Sequence, residues 1–95
     1  MNIHIQSIAG SFAENKDIAQ QIRLNQIIPA LEQDNEVTLD FILVTGTTQS
    51  FIHALISDLF RTYGNEVLDK INFKNCNEIV QKIITIVSDY MQERD

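Results

Sequence analysis

One continuous passage, residues 37–64, constrains this chain more than any other: Val37-Thr-Leu-Asp-Phe-Ile-Leu-Val-Thr-Gly-Thr-Thr-Gln-Ser-Phe-Ile-His-Ala-Leu-Ile-Ser-Asp-Leu-Phe-Arg-Thr-Tyr-Gly64. Residues 36–44 read as a strand. The run from Leu39 to Val44, interrupted only by Asp40, suits a central strand covered on both faces. Thr45-Gly46-Thr47-Thr48 is a polar loop, in which Thr47 or Thr48 can cap a helix by accepting a bond from its free N–H groups. Phe51, Ile52, Leu55, Ile56, Leu59, Phe60 and Tyr63 then recur at helical spacing, and Gly64 is a natural stop. A strand end that feeds a helix start is where α/β proteins tend to place their working surface.

The flanks repeat the pattern. Residues 2–8 alternate apolar and polar, which predicts a strand broken by Ala9-Gly10. Ser11 and Glu14 have capping-box spacing, so a helix is expected from near Phe12, with Asn15 as a second cap. It runs through Ile18, Ile22, Ile27, Ile28 and Leu31, with an imperfect stripe at Arg23-Leu24-Asn25 and a kink or break at Pro29. Residues 66–74 predict a third strand through Val67, Ile71 and Phe73. Asn75 and Glu78 mark a last helix start, followed by Ile79, Val80, Ile83, Ile84, Val87, Tyr90 and Met91.

The order is β-α-β-α-β-α. It predicts an α/β fold, a small single domain over residues 1–95 with a mostly parallel sheet and helices packed on it. With three strands the helices can sit mainly on one face. The other face then needs an extra strand, a partner or polar residues.

Ninety-five residues suffice for one core. No apolar stretch approaches the roughly 20 residues that cross a bilayer, and no basic-then-apolar leader opens the chain, so no membrane partner is expected. The single cysteine, Cys76, excludes an intrachain disulfide and suits a cytoplasmic location. A net charge of −6 repels phosphate backbones, and Lys and Arg are scattered, so nucleic acid is not an expected partner.

Asp40 in an apolar strand reads as a carboxylate satisfied by backbone N–H groups, against an acid or metal-ligand role. Thr45, Thr47, Thr48 and Ser50 cluster around Gly46. They read as capping and turn chemistry, or as a phosphorylation or anion site. No lysine follows at Walker spacing. His4, His53 and Cys76 have no paired-ligand spacing, so neither a metal nor another cofactor is expected. Ser50 and His53 are one helical turn apart, but no nucleophile elbow surrounds them, and no catalytic residue is assigned. His53 reads as a helix-edge residue.

Leu39-Asp40-Phe41, Val44, the hydroxyl-rich loop, Ser50-Phe51 and a helix closing at Tyr63-Gly64 resemble the STAS-like domains of unassigned function, relatives of the STAS fold of anti-sigma-factor antagonists. Gly10-Ser11-Phe12 and Ile71-Asn72-Phe73-Lys74-Asn75 are similar to that family as well, so the resemblance spans nearly the whole chain. It implies a binding module and not an enzyme. In the antagonists, a GHKL-type kinase phosphorylates a serine at the start of the helix after the second core strand. Gln49 aligns there, between Thr48 and Ser50. Ile52-His53-Ala54 stands where the STAS-like family commonly carries acidic residues.

The resulting expectation is a regulatory, non-catalytic interaction module. It docks a protein partner, for instance a GHKL-type ATPase or kinase, through Thr45, Thr47, Thr48, Gln49, Ser50, Phe51 and His53. The alternatives are a small-anion or nucleotide binder that uses the helix start at 47–51, and an acidic inhibitor of a nucleic-acid-binding protein. A homodimer is a further expectation, because Ile79-Ile83-Val87 and Val80-Ile84-Met91 make the last helix apolar over more width than one contact needs.

Overall fold

The computed structural model describes residues 1–92. Three strands, β1 (Asn2–His4), β3 (Val37–Asp40) and β5 (Ile71–Lys74), form a parallel sheet in the order β1-β3-β5. A second, two-stranded parallel sheet pairs β2 (Phe12–Ala13) with β4 (Gly46–Thr47). The helices are α1 (Ile5–Ala9), α2 (Lys16–Ile22), α3 (Ile28–Glu32), α4 (Gln49–Tyr63) and α5 (Glu78–Gln92). The expected alternation and parallel sheet are therefore present, and α4 packs between α2 and α5.

Register sorts the apolar and polar side chains onto opposite faces of the sheet. Ile3, Leu39 and Phe73 align across the three strands, and Val37 pairs with Ile71 two residues earlier on the same face. The rows between them are Asn2-Thr38-Asn72 and His4-Asp40-Lys74. One face is thus apolar, and the other is polar. On the polar face of the central strand Thr38 is half-buried and Asp40 is buried, so that face is closed by polar groups and not by the apolar run.

That run misleads because half of it is a turn. β3 stops at Asp40, whose Oδ1 accepts the N–H of Ile42 at 3.0 Å. The Val44 N–H donates to the Phe41 carbonyl at 3.0 Å, and Leu43 takes φ +66°. Phe41 and Val44 fall into the core, while Ile42 and Leu43 face solvent, Leu43 at 71% exposure. An Asx turn ends the strand before hydrophobicity does.

Three other boundaries differ from expectation. β1 ends at His4, and residues 5–9 form a single helical turn closed by Gly10, which takes φ +86°. Ile3 and Ile5 have strand spacing, but Ile5 and Ile8, three apart, have helical spacing, and the second signal prevails here. Phe12 starts no helix: Phe12 and Ala13 pair with Gly46 and Thr47, and the cap is Asn15, whose Oδ1 accepts from Asp17 and Ile18. Residues Asn65–Asp69 form a 3-10 helix before β5, so the third strand covers only the second half of its expected span.

The imperfect stripe before Pro29 is a π-helical segment, Arg23–Ile27, that joins α2 to α3. The buried Ile22 and Ile27 are five residues apart, and the wider turn brings both to the core. It also lies just ahead of Pro29, which has no N–H to return to the preceding turn.

Candidate functional site

The expected site residues separate into two groups once folded. Thr47 is buried, and its hydroxyl donates to the Ala13 carbonyl at 2.7 Å. The Thr45 hydroxyl donates to the Ser11 carbonyl at 3.1 Å. Both sew the 45–48 loop to β2. Thr48 is the cap of α4, its Oγ1 accepting the Phe51 N–H at 3.1 Å. Phe51 is fully buried and belongs to the core. Thr47, Thr48 and Phe51 therefore build and hold the start of α4.

Gln49 and Ser50 remain exposed on its first turn, with His53 half-exposed one turn on. These three line a cleft of about 510 Å³ together with Lys16 of α2 and Ile86 and Tyr90 of α5. Gln49, Ser50 and Lys16 supply its polar edge, and Ile86 and Tyr90 an apolar wall. Thr45 stays exposed at the loop outside this cleft. The His53 ring reaches Ser57 Oγ at 3.3 Å, and Ser57 is buried. That contact fixes the ring along the edge of α4.

The frame behind the cleft is held by asparagines. Asn77 Oδ1 accepts the Val80 N–H at 2.9 Å, and Nδ2 donates to the Thr45 carbonyl at 3.0 Å. One side chain thus caps the start of α5 and ties it to the loop that leads to α4. Asn77, not Asn75, is the cap. Asn75 takes φ +58° and donates to Asp40 Oδ1 at 3.0 Å.

Asp40 accordingly plays a structural part at the strand ends. The bonds from Asn75 and from the Ile42 N–H, with His4 nearby, hold its carboxyl below the usual carboxylate range, against the opposing effect of burial. The folded state therefore releases this proton more readily than the unfolded chain. The stabilisation is complete above the ordinary carboxylate pKa of ~4 and is lost as pH falls through the lowered folded value. Asn75→Ala should remove the largest cause, and urea melts taken from neutral to acidic pH should then show a shallower acid decline than wild type. An unchanged decline would remove Asn75 from this role.

Cys76 lies beside this cluster, and burial, then the Asp40 charge, pushes its thiol up. It is held as the thiol at neutral pH. No group of three or more His, Cys, Asp or Glu among the described residues is placed to hold a metal ion. No described helix is long and apolar enough to cross a membrane.

Arg23 is the residue that sequence reasoning missed. It is only 7% exposed. Its Nη1 donates to the Ala54 carbonyl of α4 at 2.6 Å, and Nη2 meets Asp58 at 3.2 Å. It pins the π segment to the helix that carries Gln49, Ser50 and His53. The available signal was a charge sitting in the break of an apolar stripe.

A family model described as a STAS-like domain of unknown function matches residues 19–81. No curated protein and no solved structure gives a significant match. The matched segment runs from α2 through β3, the 45–48 loop, α4 and β5 to the start of α5, and so contains the start of α4 and its frame.

Proposed function

The chain belongs to the STAS-like domain family of unknown function, and from that premise we propose that it is a non-catalytic interaction module that docks a protein partner at the start of α4. The observation that carries this reading is the division of labour around that helix start. Thr45, Thr47, Thr48 and Phe51 are engaged in holding it, while Gln49, Ser50 and His53 face an open cleft with an apolar wall. A rigid rim of polar groups beside exposed Ile86 and Tyr90 has the mixed character of a protein-docking patch. The partner class we favour is a GHKL-type ATPase or kinase, on the strength of the antagonist resemblance, and the role is regulatory.

Site-specific photo-crosslinking in the native host tests this. A crosslinker in place of Gln49 or Ser50 should capture one recurrent protein. The same group at Glu66, exposed in the 3-10 segment beyond the far end of α4, should not. Equal capture from both places would defeat the docking site.

A second reading, a small-anion or nucleotide site, draws on Lys16 facing the same cleft as the α4 start. Melting curves with millimolar ATP or phosphate separate the two readings. A ligand-dependent rise favours the anion site, and none favours protein docking.

A further inference from the structure

We propose that two copies of this chain associate through α5, antiparallel, about a twofold axis that passes between Ile83 and Ile86. The proposal goes beyond partner docking and does not rest on it.

The outer side of α5 carries Ile79, Ile83, Ile86 and Tyr90, at steps of four, three and four residues. That is the spacing of a helix-pairing seam. The inner side carries Val80, Ile84, Val87 and Met91 at the same steps, and all four are buried in the core. One helix thus has two apolar seams: the inner one is enclosed, while in the outer one Ile83 is half-buried against the core and Ile79, Ile86 and Tyr90 are exposed. Ile79 is 58% exposed and Tyr90 51%, far more than an amphipathic helix with a single seam needs.

Charge identifies the occupant. Lys82 and Asp89 are both exposed and lie along one edge of the outer seam, each just before one of its residues, Ile83 and Tyr90. The other edge is formed by the buried Val80 and Val87. In an antiparallel pair the charged edges of the two helices face each other. Lys82 of each copy then meets Asp89 of its mate, twice per dimer. In a parallel pair the charged edge would face valines. The seam is therefore self-complementary in one orientation.

Ile86 and Tyr90 also border the cleft at the α4 start, whereas Ile79 and Lys82 do not line it. Changes at the latter two positions therefore test self-association without touching the docking residues.

Sedimentation equilibrium on the whole chain reads the result. A monomer–dimer equilibrium is expected, and Ile79→Asp should weaken it at least tenfold, roughly the effect of placing an unpaired charge in the seam. Lys82→Asp and Asp89→Lys should each weaken it by roughly tenfold, from two lost pairs and two new repulsions. The combined Lys82→Asp/Asp89→Lys chain should return to near the wild-type constant. All these positions are exposed, and an unchanged circular dichroism spectrum shows that the fold survives each change. A chain that stays monomeric at millimolar concentration overturns the proposal. So does a combined variant no tighter than the single ones.

Discussion

Phe51→Ala is expected to destabilise the fold by about 4 kcal/mol in urea unfolding at neutral pH. The ring is fully buried, among the largest enclosed side chains of the core, with Ile52, Leu55 and Ile56 of the same helix. Removing it costs the transfer energy of the ring and leaves a cavity that helices on both sides of α4 cannot fill without moving. A domain of this size has a total stability of only about 5–15 kcal/mol, so the loss is a large fraction of the whole. Loss of docking in this variant would therefore report unfolding. A cost under about 1 kcal/mol would mean that α4 is not seated as described.

Arg23→Ala is expected to cost about 3 kcal/mol in the same measurement, from two charge-assisted bonds and the buried stem. The ion pair with Asp58 supplies the smaller share, because Asp58 is 45% exposed and its charge is screened by water. Asp58 also has Arg61 as a second partner, so it keeps a cation when Arg23 is removed. Arg23→Met, which keeps the stem, should recover roughly 1 kcal/mol. If the two variants lose the same amount, the polar contacts across the π segment account for the whole effect.

Both effects bear on the docking reading, because both concern how α4 is held. Arg23 grips α4 at Ala54, just after His53, and Phe51 anchors its first turn from beneath. The exposed groups on that turn are consequently presented by a helix fixed at its cap, its underside and its flank. Preorganisation of this kind lowers the ordering cost of binding.

The strand-loop-helix core of the fold was legible in the sequence because its signals agree. The Thr48 cap, the Phe51-to-Phe60 stripe and Gly64 at φ +76° all mark the same helix. Boundaries that depend on contacts distant in sequence were not legible. Phe12 and Ala13 become a strand only because Gly46 and Thr47, more than thirty residues later, lie beside them. The turn at Asp40 needs Asn75 to complete it, again from another part of the chain. The site was half legible for the same reason. A hydroxyl cluster can be read from the sequence, but which hydroxyls are consumed depends on the Ser11 and Ala13 carbonyls that receive them. Lys16, Ile86 and Tyr90 join the cleft only through the packing of α2 and α5 around α4.

The most direct test of the account is calorimetric titration of the crosslinked partner, once purified, against wild type and Ser50→Glu. A carboxylate in the first turn of a helix favours the helix, so this change leaves the fold intact while altering the docking face. At least a tenfold loss of affinity is the predicted result, with Glu66→Lys binding as wild type does. Equal affinity for wild type and Ser50→Glu would contradict docking at the start of α4.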